Sequence, residues 1–580
     1  MTVHNTPRGY RGDEVEVSKE SVSLLWPSGF GSDGRDAKLP TQFIVDLDLD
    51  KIVSAMSVDL RNKEQIRRIL YHPCSDAQVI AYRLAVLDDF LNLPRLVSKL
   101  KEMSPSIRRF VSLKNPRHTK GDHPLKQIGW RFEVLDQYVL CMQRLQTVLA
   151  MFRDDMQSEG LKRLSDYATK TVCGEEFQAL KQELPVLRAR FQSISSVTIG
   201  LNLNSELRPV EATLLAINSE PFEPKSFMAR FRGLVDGNTC PSVFYSLLRK
   251  PDLEHALFRD LDSVFKDALM PVNSILSRFT SINSEFFRHL EIELDFYIGA
   301  TKLIDYLRAA GMPMCRPEVA PKESRVTDIK ENYNINLALD LLSANPVRNV
   351  DQEIVKNEVS MGPRGRILII TGPNQGGKTT YLRSIGLSHV LFQAGIFVPG
   401  TRARISPVDW IYTHFAEPET TDNKEGRLSA ESRRLAQIFQ TATRYSLILL
   451  NESLASTSPG ESLYMTLDIM GAIRFLGARA AFATHLHELA ARVDEINVQV
   501  PGDSRLVSLV AGLAFDGHSV AKRTYRIVAA PPAGMSFAKD IAEAYGISFE
   551  QLCDVLRARK VVDAEFPAKE VPRNTPKGRF

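Results

Sequence analysis

The sequence predicts a multidomain chain in which a long-helix core and lever region with a small β insertion is followed by an α/β domain built around a phosphate loop. Three observations predict it. Heptad-like apolar spacing runs through IRRILYHPCSDAQVIAYRLAVLDDFLNL and WRFEVLDQYVLCMQRLQTVLAMF, the pattern of amphipathic helices packed together. From about residue 362 the texture changes to short apolar runs alternating with helical segments, as in a sheet flanked by helices. Early in that second region stands TGPNQGGKTT, residues 371 to 380, with the spacing GxxxxGK[ST].

The 580 residues, 44% hydrophobic and 24% charged, suffice for two or three buried cores. A net charge of +4 permits nucleic-acid contact through local patches without arguing for it. Six cysteines, at 74, 141, 173, 240, 315 and 553, form no CxxC pair, which argues against a zinc site or a disulfide scaffold and for reduced thiols. The N-terminus MTVHNTPRGYRGDEVEV lacks the apolar core of a signal peptide, and no run of about 18 apolar residues occurs. The expectation is a soluble, cytoplasmic protein.

In chain order, residues 1–40 are polar and Gly-rich and are expected to form a flexible segment. Residues 41–330 form the helical core and lever domain. Within it SVTIGLNLNSELRPVEATLLAINSEPF, 196 to 222, is rich in Val, Thr and Ile with turn formers, a β island. Long helical patterns resume from 241 to 310, and a proline-rich break lies near 313 to 321. The α/β domain covers 331–545. Its strands are RILIIT, SLILL, RAAFAT, RLVSLVAGLAF and KRTYRIVAA, the last two joined as a hairpin across Asp516-Gly517. A C-terminal helical element spans 546–562, and the tail 563–580, rich in proline and charge, is expected to be disordered.

An apolar strand feeds TGPNQGGKTT and a helix follows it. Gly372, Pro373, Asn374, Gln375, Gly376, Gly377, Lys378, Thr379 and Thr380 can therefore cradle phosphates with backbone N–H groups and a helix N-terminus. Lys378 reaches the β and γ oxygens of ATP and Thr379 offers its hydroxyl to Mg2+. The strand in SLILLNES delivers Asn451 and Glu452 beside the γ-phosphate and metal, making Thr379, Asn451 and Glu452 the candidate metal-side residues and Glu452 the base that polarises the attacking water. An ATPase would normally place Asp where Asn451 stands. Asn451 keeps an acceptor oxygen but brings no charge, so slowed or metal-hungry hydrolysis is expected. His485, after the strand in RAAFATHLHEL, can donate to the γ-phosphate.

TGPNQGGKTTYLRSIGL, FQAGIFVPGTRARISPVDWIYT, NESLASTS and AFATHLHELA together resemble the ATPase domain of the MutS family of DNA mismatch-repair proteins. Residues 43 to 91 are similar to that family's helical core and lever region, and PAGMSFAKDIAEAYGIS resembles its C-terminal helical element. The resemblance implies an ABC-type ATPase homodimer in which each nucleotide lies between the phosphate loop of one subunit and a signature segment of the other. The signature candidate is EGRLSAESRRL, in which Gly426 and Arg427 precede Leu428 and Ser429; Ser429 would face the partner's γ-phosphate, or else simply cap a helix. Gln393 falls where the family has a loop sensing metal and γ-phosphate. Thr457 and Ser458 match a loop facing the partner, or serve as helix caps before Pro459.

The chain departs from the family pattern in having no N-terminal domain before residue 41 and no Phe-x-Glu wedge in a plausible position, which implies a shortened member without the mismatch-reading part. For DNA contact the candidate is RRFVSLKNPRHTKGDHPLKQIGWR, 108 to 131, with seven Lys or Arg against one Asp and with Phe110 and Trp130 nearby. The expected function is a DNA-binding ATPase acting as a nucleotide-gated dimeric clamp on branched or damaged DNA or recombination intermediates. The alternative is a weakly hydrolysing, nucleotide-gated scaffold for a protein or ribonucleoprotein.

Overall fold

The structure is a computed structural model that describes residues 22–30, 41–57, 60–114, 124–192, 196–206, 209–221, 284–344, 349–416, 427–454, 458–514, 522–530, 546 and 548–559. In chain order, α1 (Gln42–Asp46), α2 (Leu49–Met56), α3 (Leu60–Leu70), α4 (Ala77–Asn92), α5 (Pro94–Lys114), α6 (Pro124–Met151), α7 (Glu159–Cys173) and α8 (Glu175–Gln192) precede the strands β1 (Ser196–Leu203) and β2 (Pro209–Asn218), and α9 (Ser284–Ala309) follows. Two compact units emerge: Met1–Gly29 with Asp88–Ile298, and Phe30–Leu87 with Gly299–Phe580.

In the first unit each of α5 to α7 buries an apolar stripe, with Leu100, Ile107, Phe110, Leu135, Leu145, Leu161 and Leu164 essentially removed from solvent. The helical periodicity read from the sequence is the cause, since one side of each helix must leave water. Phe110 packs edge-on against Phe287 at 5.3 Å. Ser158 caps α7 by accepting from Leu161 N–H, and the buried Asp89 carboxylate accepts from the backbone N–H groups of Gln157 and Ser158. The β island is an antiparallel β1–β2 pair, as its Val, Thr and Ile content predicts. The expectation of a flexible segment over 1–40 is corrected around Leu24. That side chain is fully buried, its N–H donates to Glu293 at 2.8 Å and its carbonyl accepts from the Tyr297 hydroxyl at 2.8 Å.

The second unit continues with β3 (Met314–Cys315), β4 (Glu318–Val319), β5 (Thr327–Asn332), α10 (Ile335–Ala344), β6 (Asn357–Met361), β7 (Ile367–Thr371), α11 (Lys378–Ala394), β8 (Val398–Pro399), β9 (Arg402–Ile405), β10 (Ile411–Phe415), α12 (Arg427–Thr441), β11 (Leu447–Asn451), α13 (Pro459–Leu476), β12 (Arg479–Ala483), α14 (His487–Ala491), α15 (Val493–Gln499), β13 (Leu506–Ala514), β14 (Lys522–Ala529) and α16 (Phe549–Ala558). Its main sheet has the order β10-β11-β12-β7-β13-β14. All neighbours run parallel except β13 and β14, the hairpin pairing expected from the sequence. Every residue of β7, β10 and β12 is buried, which is why these strands read as unbroken apolar runs rather than alternating ones. β12 lies between β7 and β11, so the strand carrying Asn451 is parallel to the phosphate-loop strand but one place removed. A second sheet, β4-β9-β5-β6, was not foreseen, because its strands are short and mostly polar.

The units do not divide at residue 331, as the sequence reading expected. Residues 30–87 and 299–330 belong with the α/β sheet. The cause is close packing on α11 and its surroundings. A Cβ on Gly386 would lie 2.7 Å from a Leu47 methyl and 2.8 Å from a Leu449 methyl, and Phe43 meets Trp410 edge-on at 5.6 Å.

Candidate nucleotide site

The loop between β7 and α11 takes its shape from glycine. Gly372 has φ 134° and Gly377 φ 91°, conformations that side-chain-bearing residues rarely adopt. A Cβ on Gly372 would also meet Ala511 Cβ at 2.8 Å. Asn374 and Gln375 are exposed at the crest, Gln375 at φ 59°, while the Gly376 N–H closes the turn onto the Pro373 carbonyl at 3.1 Å. Lys378 opens α11, is only 4% exposed, and donates to the carbonyls of Gly372 at 2.9 Å and Pro373 at 3.0 Å. Burial holds its pKa below the ordinary lysine value, partly offset by the nearby Glu452 carboxylate. Two of its three donors rest on the loop itself, leaving one available. Thr380 is exposed, and its carbonyl accepts from Asn334 Nδ2 at 3.3 Å.

The sheet brings the remaining groups to this loop. At the C-terminal end of β11 the Asn451 side-chain Oδ1 accepts from the Thr379 hydroxyl at 2.9 Å, the bond that an aspartate at that position would also make. The Glu452 N–H is tied to the Ala483 carbonyl at 2.9 Å, and its carboxylate meets His485 Nε2 at 2.8 Å. Lys378, Thr379, Asn451, Glu452 and His485 are thus linked into one constellation. The hydroxyl, amide and carboxylate oxygens of Thr379, Asn451 and Glu452 are hard donors suited to Mg2+. Among the described residues no cluster of three or more His, Cys, Asp or Glu forms a metal cage, so such an ion would draw its other ligands from phosphate and water.

Other expectations come apart from the loop. Gln393 lies fifteen residues along α11 from Lys378, about 22 Å away at 1.5 Å per residue. It is fully buried, donates from Nε2 to the carbonyls of Cys74 at 2.8 Å and Val408 at 2.9 Å, and accepts from Val408 N–H at 3.3 Å. It is therefore an internal strut at the far end of the helix and not part of the phosphate site of its own chain. Ser429 sits exposed in the first turn of α12; Gly426 and Thr457 lie outside the described residues. Ser458 takes the capping role, accepting from Glu461 N–H with Pro459 at the first position of α13.

The basic stretch 108–131 is not one loop. Residues 108–114 end α5 and 124–131 begin α6. Phe110 is fully buried and the Trp130 indole N–H donates to the Leu113 carbonyl at 2.7 Å. Arg108 pairs with Asp295 and Glu291 and Arg109 with Glu133. The aromatic residues that made this stretch a nucleic-acid candidate serve the helix packing instead; residues 115–123 lie outside the described set.

Two residues near the loop escaped the sequence reading. Tyr525, at φ 54° on β14, would contact a Cβ on Gly377 at 3.4 Å. His487 stands near His485 and Lys378, and burial first, then these neighbours, lowers its pKa. The HLH alternation is the signal that could have found His487; nothing local points to Tyr525, whose proximity comes from strand order.

Two family models match the chain. The description MutS2 N-terminal domain matches residues 75–310 and MutS domain V matches 368–534. A protein named DNA mismatch repair protein MutS, from Chlorobium phaeovibrioides, is 40% identical over 153 residues, 26% of this chain and 17% of the relative. One of the same name from Chlorobium chlorochromatii is 30% identical over 227 residues, 38% of this chain and 25% of the relative. Endonuclease MutS2 of Exiguobacterium sibiricum is 31% identical over 216 residues, 37% of this chain and 26% of the relative. The matched segments thus span no more than 26% of these relatives' length. Among the described residues no helix is long and apolar enough to cross a membrane. With both family models matching in order, the second over the strands and loops that assemble the phosphate-loop constellation, the chain belongs to the MutS family.

Proposed function

We propose that this protein binds and hydrolyses ATP and uses the cycle to hold and release DNA as a dimer. The observation that carries the reading is the convergence of Lys378, Thr379, Asn451, Glu452 and His485 at the C-terminal ends of β7, β11 and β12. In this reading Lys378 leaves its two loop carbonyls to meet β and γ oxygens, and the loop N–H groups hold the rest of the triphosphate. Thr379 and Asn451 face Mg2+, which when bound neutralises phosphate charge. Glu452 takes a proton from the attacking water, and the single N–H of neutral His485 either fixes the carboxylate's direction, as in the bond to Glu452, or turns from it to donate toward the γ-phosphate.

The dimer is part of the same proposal: Ser429, exposed at the start of α12, completes the site of a second copy. The relatives' names support DNA repair as the setting, and the reading takes branched, damaged or recombining duplexes as substrates bound by backbone contact. The scaffold reading keeps one specific support: Asn451 makes the expected bond to Thr379 but without charge, which slows hydrolysis while sparing binding.

The test is Mg2+-dependent ATP turnover by the purified protein, with and without branched duplex, beside DNA affinity across a salt series. Expected are turnover that Glu452→Ala lowers by about 100- to 10,000-fold and DNA affinity falling steeply with salt. ATP binding without turnover, together with no salt-sensitive DNA affinity, would establish the scaffold reading in its place.

A further inference from the structure

The turn that follows β11 is strained and is held from four sides. Glu452 has φ 50° and Leu454 φ 62°; for a leucine in particular the left-handed region is a departure that its surroundings must enforce. Glu452 N–H bonds the Ala483 carbonyl of β12. The Ser453 hydroxyl lies 2.7 Å from His414 Nδ1 and 3.1 Å from the His414 carbonyl on β10. The Leu454 carbonyl accepts from the Ser462 hydroxyl of α13 at 2.6 Å. The Leu454 N–H, finally, donates at 2.9 Å to the carboxylate of Glu431 on α12. Glu431, Ser453 and Leu454 are all buried.

Of these four anchors, only Glu431 is a carboxylate acceptor. A carboxylate accepting a buried backbone N–H makes a stronger bond than a neutral acceptor. Its helix is the one whose first turn carries Ser429, two residues before Glu431. Any shift of that turn therefore pulls directly on the peptide two residues beyond Glu452. We propose that Glu431 is a positioning residue for hydrolysis: its carboxylate keeps the 452–454 turn left-handed so that Glu452 is aimed at the loop, and it conveys displacement of the start of α12 to Glu452. The inference rests on the hydrolytic reading above, and it concerns aim, not nucleotide affinity, because the Leu454 N–H that Glu431 holds lies outside the phosphate loop.

The experiment compares Glu431→Ala and Glu431→Gln with the wild type in the full chain, reading kcat, nucleotide Kd from a fluorescent ATP analogue, and amide exchange at Leu454 by mass spectrometry. Expected for Glu431→Ala are a kcat lower by about 10- to 100-fold, the cost of a modest misplacement of a reacting group, a Kd within about twofold, and faster exchange at Leu454. Glu431→Gln, which keeps an oxygen acceptor, should restore kcat to within about threefold and keep the amide protected. Wild-type kcat in Glu431→Ala, equal damage in both variants, or loss of Kd in step with kcat would each overturn the inference. If Glu431→Ala fails to fold, Glu431→Gln decides alone: a fall of more than about tenfold in its kcat overturns it. A wild type that binds ATP without turnover brings down the hydrolytic reading itself, and is seen before any variant is compared.

Discussion

Helix α11 carries a buried polar side chain at each end, and the two ends behave differently. At its start Lys378 spends two donors on the loop carbonyls of Gly372 and Pro373, in a loop shaped by the positive φ of Gly372 and Gly377. At its end Gln393 is fully satisfied: both amide hydrogens meet carbonyls and its oxygen accepts from Val408. One end keeps unused hydrogen-bonding capacity beside an exposed crest; the other has closed all of it inside the core. Capacity left over, rather than polarity or burial, marks where a ligand can act.

The sharpest way to break this comparison is to truncate both ends. Lys378→Ala should lower ATP affinity by more than about 100-fold, since it removes charge-assisted hydrogen bonds to phosphate, with little change in the urea midpoint. Gln393→Ala should do the reverse. It strands the buried Cys74 and Val408 groups and should cost about 2 to 4 kcal/mol in urea unfolding, with nucleotide Kd within about twofold. If Gln393→Ala instead lost nucleotide and kept stability, the division between the two ends would be wrong.

The same contrast explains what the sequence made legible. The loop could be read because its shape is local: Gly372, Gly377, Lys378 and Thr379 act within eight residues, and the flanking apolar strand and helix fix their directions. The buried strands could be read for a similar reason, as runs such as LILL and AAFA are apolar at every position. Gln393 could not, because its partners Cys74 and Val408 arrive from distant segments and turn a motif position into a strut. Phe110 and Trp130 misled in the same way: their neighbours in sequence are basic, but their neighbours in space are Phe287 and the Leu113 carbonyl. Glu431 and Leu454 were invisible as a pair, since 23 residues separate them along the chain and only tertiary packing joins them.

A pH series sharpens the comparison from the closed side. His414, 1% exposed on β10, has its pKa pushed down to about 4, first by burial and then by Arg434. Because the folded form resists protonation while the unfolded chain takes up a proton near pH 6.5, the stability it contributes is complete above about pH 6.5 and is lost as pH falls toward 4. The loss is on the order of 3 kcal/mol at most. His414→Asn should flatten the acid limb of the stability profile between those values, measured by urea midpoints at each pH. An acid limb unchanged by the substitution would mean that the buried histidine relaxes to solvent on protonation.

The smallest effect belongs to Asn451, on the open side. Its oxygen already accepts from Thr379 at 2.9 Å, so Asn451→Asp changes charge with almost no change of shape, and the hydroxyl can donate to the carboxylate as it does to the amide. One added negative charge a few ångströms from a divalent ion is worth about 1 kcal/mol in well-screened surroundings and more where water is excluded. ATP supplies most of the ligand charge, which places the expected gain near the lower figure. Asn451→Asp should therefore lower the Mg2+ concentration for half-maximal turnover by about 3- to 10-fold, while Kd for ATP in the absence of metal rises slightly from repulsion between carboxylate and phosphate. A Mg2+ requirement that does not move would place the ion out of reach of position 451 and leave Asn451 as a shape-keeping partner of Thr379 alone.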